Sequence, residues 1–145
     1  MKKILLDTNA YGRLLAGDEA VLDVVADAAV VYLSVFVLAE LYAGFRGGTR
    51  EAENRRRLGE FTRRSPVHIL PADEQTAEVF GELYYRLKVA GTPIPVNDLW
   101  IAAQAVEQGA FVVSFDEHFA RVPGLLLWPP PSLGGAGRAP ARGAR

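Results

Sequence analysis

The chain has 145 residues, of which 50% are hydrophobic and 23% charged, a composition that suits one globular domain with a substantial core. It has no cysteine, which excludes disulfides, thiolate catalysis and cysteine-ligated zinc. The net charge is −1, but the stretch from Pro129 onward carries Arg138, Arg142 and Arg145 and no acid, which leaves the body at −4. Net charge therefore shows no basic nucleic-acid footprint.

The first element is the run Lys2-Lys3-Ile4-Leu5-Leu6, followed at once by Asp7-Thr8-Asn9. It is short, branched-aliphatic and flanked by turn-forming polar residues, so it reads as a buried strand. Asp7 then sits just past the strand's carboxyl end, the edge at which open α/β sheets bind ligands. Too few apolar residues precede Asp7 for a signal peptide. The longest apolar stretch, Ala28 to Ala39, is shorter than the ~20 residues of a membrane span, so a cytoplasmic protein with no membrane partner is expected.

A short helix is predicted from Ala10 to Leu15, capped by Thr8 or Asn9, and a second from Glu19 to Ala28 after the Gly17-Asp18 break. Val30 to Leu33 reads as a strand. Ser34 caps a helix expected to run to about Tyr42 and to end at Gly44. That helix is apolar nearly all round, which predicts burial, and Glu40 is its one charge. A lone carboxylate there is costly unless something pairs with it, and no basic residue lies within a turn. A charged helix follows over Arg50 to Arg64. Its Arg50, Arg55, Arg56, Arg57, Arg63 and Arg64 suggest either phosphate contacts or a solvated face balanced by Glu51, Glu53 and Glu60; the solvated face is the preferred reading.

Val67 to Leu70 is the third strand, and Asp73 caps a long helix to about Ala90. Pro93 and Pro95 keep the next loop out of helix. Asn97 is expected to cap a helix through about Glu107, with Asp98 in its first turn and Gly109 ending it. Phe111 to Val113 form a fourth strand, followed by Ser114-Phe115-Asp116, a short helical turn and a last strand at Leu125 to Trp128. Strands alternating with helices predict an α/β fold with a mostly parallel sheet. This organisation gives one domain over residues 1–128. Residues 129–145 form a Pro/Gly/Ala/Arg-rich tail, expected to be disordered on composition.

Four acids stand out: Asp7 and Asp116 after strands, Asp98 opening a helix, Glu40 in an apolar one. Each has a local explanation when taken singly: an Asx turn for Asp7, the helix dipole for Asp98, an N-cap for Asp116. Gathered at one sheet edge they would repel, and would stay ionised only with cations between them. Hard oxygen ligands favour Mg²⁺ or Mn²⁺. His68 and His118 read as solvated or structural. Arg13 and Arg46 lie close in sequence to the predicted site elements and are the candidate phosphate contacts.

The segments Leu5-Leu6-Asp7-Thr8-Asn9, Leu38-Ala39-Glu40-Leu41, Asn97-Asp98-Leu99-Trp100-Ile101-Ala102 and Ser114-Phe115-Asp116-Glu117-His118-Phe119 resemble the PIN-domain ribonucleases, and among them the VapC toxins of toxin–antitoxin pairs. The resemblance runs from Lys3 to about Trp128. It implies a three-layer α/β/α sandwich and a Mg²⁺-dependent RNA endonuclease in which Mn²⁺ substitutes. It further implies that Asp7 and Asp98 bind metal most directly, that Glu40 and Asp116 complete the cluster, and that Thr8, Asn9 and Ser114 support it. The implied partners are an RNA substrate, a small antitoxin and a second copy of the chain, with Phe36, Leu38, Tyr42 and Phe45 helping to form the antitoxin groove.

Rival readings are weaker. Aspartyl-phosphate phosphatases want a second acid where Asn9 stands, and a phosphoreceiver module wants adjacent acids and a lysine after its last strands. No glycine-rich phosphate loop is present. A PIN-like RNA-processing nuclease outside any toxin–antitoxin pair, or a catalytically silent RNA-binding module, remains as an alternative.

Overall fold

The computed structural model describes residues 2–131. Five strands, β1 (Lys3–Leu6), β2 (Val30–Ser34), β3 (Val67–Leu70), β4 (Phe111–Val113) and β5 (Leu126–Trp128), form one sheet in the order β3-β2-β1-β4-β5. Every neighbouring pair is parallel. Ile4, Leu5 and Leu6 are all fully buried although successive side chains point to opposite faces. Both faces at β1 are therefore covered by helices, as expected of a parallel sheet, and this is the α/β architecture the sequence predicts. Most of the expected tail, residues 132–145, lies outside the described residues.

The chain builds β2 and β3 on one side of β1, then crosses to lay β4 and β5 on the other. The strand order reverses between β1 and β4, which opens a crevice beyond their carboxyl ends. Register decides what faces it. Leu6 pairs with Leu33 on one side and with Val113 on the other. The next residues are Asp7, Ser34 and Ser114, side by side at one edge. The backbone N–H of Asp7 still donates to the Val113 carbonyl at 3.2 Å, and that of Ser114 to the Trp128 carbonyl at 3.1 Å.

Six helices complete the fold: α1 (Thr8–Leu15), α2 (Glu19–Asp27), α3 (Val35–Gly47), α4 (Glu51–Thr62), α5 (Glu74–Ala90) and α6 (Val96–Gln108). Ser34 caps α3 through the Phe36 N–H, and Asp73 and Thr76 form a capping box at α5. Three expectations are corrected. The cap of α1 is Asp7, not Thr8 or Asn9, because Asp7 has extended backbone and its carboxylate accepts from the Ala10 N–H at 2.7 Å. Helix α3 runs through Gly44 to Gly47, since one glycine costs a helix only about 1 kcal/mol and Phe45 still packs on the core. The N-cap of α6 is Pro95, with Asn97 already inside the helix.

Burial of α3 is also narrower than its composition suggests. Only Val37, Leu38 and Leu41 are buried, while Val35 and Tyr42 are exposed. The charged helix α4 cancels its own charge through Arg55–Glu51, Arg56–Glu60 and Arg57–Glu53 pairs one turn apart. That arrangement is the solvated face preferred from sequence, and such pairs stabilise a helix by about 0.3–0.5 kcal/mol each.

Candidate active site

Asp7 is held on two sides. It ends β1 and caps α1 at once, so its carboxylate has one orientation, fixed by the Ala10 N–H. It is 6% exposed. Burial raises its pKa above the ordinary carboxylate value, and the charges of Asp98 and Asp116 push the same way. Hydrogen bonds from the Ser114 hydroxyl and the Ala10 N–H oppose the rise.

Asp98 enters from the first turn of α6. Its pKa is also raised, chiefly by burial and further by the charges of Asp116 and Glu40, against the opposing hydrogen bond and charge of His118. Asp116 follows β4 and caps a short 3-10 turn, Glu117–Arg121, through the His118 N–H at 2.9 Å. Its own N–H donates to the Ser114 hydroxyl at 3.0 Å. Ser114 thus links Asp7 to Asp116 from a buried position.

Glu40, read from sequence as an acid without a partner, has two. The Thr8 hydroxyl and the Asn97 amide both donate to it. Thr8 comes from α1 and Asn97 from α6, so Glu40 ties together the two helices that carry Asp7 and Asp98 at their starts. Asn97 does this because it is inside α6, rather than at its cap.

The structure therefore brings the four acids to one edge, but unequally. Ligand atoms of Asp98, Asp116 and His118 lie within 4.8 Å of one another. Asp7 couples electrostatically to both aspartates, and Glu40 to Asp98. His118, set aside in the sequence reading, stands among them. Its Nδ1 is 3.2 Å from Asp98 Oδ2 and 3.0 Å from Asp116 Oδ1. The signal was there in the Asp-x-His spacing at 116–118, which puts both groups on one side of a tight turn. His68 lies exposed on the edge strand β3, as expected.

The donor set suits a divalent cation. Asp7 and Asp98 are desolvated acids, and among the described residues no lysine or arginine forms an ion pair with Asp7, Asp98 or Asp116. Buried like charges of this kind are stable when a cation supplies the missing positive charge.

Asn9 and Arg13 line an open cleft of about 490 Å³ beside Asp116. Arg46 is exposed in the last turn of α3, roughly 9 Å along the axis from Glu40, and does not line that cleft. Of the residues expected to form an apolar groove, Phe36 stacks on Trp100 with centroids 5.0 Å apart, Leu38 is buried and Tyr42 is exposed. A further groove of about 510 Å³ opens between α1, α2 and α4, where Leu14, Leu15, Leu22, Val25 and Phe61 are flanked by Arg57, Glu60 and Arg64.

This fold, with carboxylates gathered at the switch point of a parallel sheet, defines a class. The chain belongs to the PIN-domain family, whose model matches residues 4–125. Among curated relatives, Ribonuclease VapC4 of Mycobacterium tuberculosis is 32% identical over 91 residues, covering 63% of this chain and 70% of that protein. Ribonuclease VapC2 of Rickettsia felis is 31% identical over 107 residues, covering 73% and 78%. Among solved structures, VapBC2 from Rickettsia felis bound to a promoter DNA fragment superposes with a TM-score of 0.75 at 28% identity, covering 86% of this chain and 96% of that one. VapBC-1 from nontypeable Haemophilus influenzae does so at 0.77 and 28%, with the same coverage.

Proposed function

We propose that this protein is a Mg²⁺-dependent endoribonuclease and the toxin of a toxin–antitoxin pair, acting in the cytoplasm. The observation that carries the reading is the convergence of Asp7, Asp98 and Asp116 on one sheet edge, without a lysine or arginine partner among the described residues. Its likeness to the VapC ribonucleases and to the VapBC structures supports it.

Asp7 and Asp98 hold the metal most directly, with Asp116 and Glu40 completing the acidic group. A divalent ion bound there supplies charge neutralisation for the scissile phosphate and polarises a water. Asp116, the more exposed of the two strand-end aspartates, is placed to accept a proton from an attacking water on a carboxylate oxygen. Ser114 and the Ala10 N–H keep Asp7 oriented. Thr8 and Asn97 keep Glu40 oriented, and Asn9 supports the site from its rim. Oxygen donors favour Mg²⁺, and the adjacent imidazole makes Mn²⁺ an acceptable substitute. Arg13 and Arg46 contact the RNA.

The groove between α1, α2 and α4 is the seat for an antitoxin helix, which would cover the exposed Leu15 and Leu22. Tyr84, Tyr85, Val89 and Val96 form an exposed apolar patch fit for a second copy of the chain. Residues 1–128 suffice for the activity.

The test is cleavage of total cellular RNA by purified protein in Mg²⁺, Mn²⁺ or chelator, with D98N alongside. Discrete fragments that require metal and vanish in the variant are expected. Equal cleavage by D98N would overturn the assignment.

A further inference from the structure

The cleft beside Asp116 holds an arrangement that metal binding does not call for. The Arg13 guanidinium lies over the Phe115 ring, 3.7 Å from its centroid. Trp128 meets the same ring edge-on at 6.2 Å, and Asp18 reaches Arg13 at 3.5 Å. The guanidinium is thus held from two directions, by an aromatic face and a carboxylate. Yet the Phe115 residue is 37% exposed and the Arg13 side chain 49%. Both line the open cleft with Thr8, Asn9 and Gly12.

Gly12 is the second observation. It sits inside the eight-residue helix α1, where glycine is less favourable than alanine. Its backbone is not in the left-handed region, and a Cβ built there would meet no protein atom within 4 Å. Neither backbone geometry nor packing calls for glycine. What the missing side chain does is leave the cleft open beside the Arg13–Phe115 pair.

We propose that this cleft is a nucleobase subsite that takes one unpaired base of the strand being cleaved, stacked on the platform of Arg13 and Phe115. The proposal rests on the endoribonuclease reading of the neighbouring acids. Guanidinium and aromatic planes both stack on bases, and every base offers a π-face. A base fits better than a phosphate here, because Asp116 lies on the rim and Asp18 already offsets part of the Arg13 charge. Asn9 and Thr8 offer hydrogen-bonding groups to a base edge on the same cleft. A base within a duplex is already stacked and cannot enter, so the substrate class is single-stranded or looped RNA.

The test uses D98N in chelator, which prevents cleavage, and two fluorescein-labelled probes: a short oligoadenylate and an abasic ribose-phosphate oligomer of equal length and charge. The oligoadenylate should bind about tenfold or more tightly than the abasic oligomer. Adding F115A or R13K should reduce it to the abasic level and leave abasic binding little changed, because R13K keeps the charge and loses the plane. F115Y, which retains a ring, should preserve the preference. G12L should weaken oligoadenylate binding without lowering the melting temperature. Equal binding of both probes by D98N, or a preference that survives F115A and R13K, would overturn the subsite. Binding of neither probe would instead overturn the RNA reading on which it rests.

Discussion

Two strongly charged regions of this molecule handle charge in opposite ways. Helix α4 places Glu51, Glu53 and Glu60 one turn from Arg55, Arg57 and Arg56, on a solvated surface. The sheet edge buries Asp7 and partly buries Asp98 beside Asp116, with His118 the one basic side chain among the described residues that pairs with these aspartates. The first arrangement is locally complete and needs nothing else. The second gathers like charges, and burial together with the neighbouring acids raises the pKa values of Asp7 and Asp98. A count of charged residues would rank α4 as the more interesting region. Desolvation and pairing reverse that ranking.

The contrast can be broken most sharply at Asp98. D98N removes a metal-holding carboxylate while keeping shape and hydrogen bonding, and should reduce metal-dependent RNA cleavage by at least about a hundredfold in single-turnover assays. Addition of Mg²⁺ or Mn²⁺ should raise the unfolding free energy of the unaltered chain by about 2.7 kcal/mol at a hundredfold excess over Kd. Calorimetry should find that gain lost in D98N. A stabilisation that D98N retains would place the cation elsewhere.

Asp7 should separate function from stability. Asparagine still accepts from the Ala10 N–H, so D7N keeps the cap of α1 while removing a buried, repelled charge. D7N should lose cleavage yet unfold later than the unaltered chain without metal, by on the order of 1 kcal/mol or roughly 3–5 °C. The sign with pH follows from the raised pKa of Asp7. Its ionisation penalty is fully present above the raised value, so stability falls as pH rises through the window between the ordinary and the raised value. The advantage of D7N should therefore shrink as pH is lowered through that window in thermal melts.

Smaller effects are expected further out. T8V or N97L leaves Glu40 with one partner and should lower activity about 10–100-fold, with a weaker apparent metal affinity in titrations. R56A, in the self-paired helix, should change stability by no more than about 0.5 kcal/mol and leave cleavage nearly unaltered. A large loss in R56A would mean that α4 contacts RNA after all.

Much of this was legible in the linear chain where the cause is local. Ile4-Leu5-Leu6 is a buried strand because three consecutive aliphatics can only be satisfied by cover on both faces. Asp73 at α5 caps by residue type alone, and Asp7 and Asp116 end strands that alternate with helices. The losses came where one residue has two possible jobs. Thr8 and Asn97 are good caps by type, but Asp7 and Pro95 hold those places, and the freed side chains turn to Glu40. Gly44 looks like a helix end, yet Phe45 beyond it keeps contact with the core. His118 looked like a surface turn residue because Asp98, one of the two aspartates it meets, lies 20 residues away.

From residue order alone came the alternation of strands and helices, the parallel sheet, three acids set at element ends and a fourth, Glu40, inside an apolar helix. Those depend on hydrophobic period and backbone propensity, which act over a few residues. Tertiary structure alone decided that Glu40 has partners, that His118 meets Asp98, and that Arg13 sits over the Phe115 ring. Each of these joins groups far apart in the chain. Only the reversal of strand order beside β1, with the helices α1 and α6 it brings together, sets them within hydrogen-bonding or stacking distance.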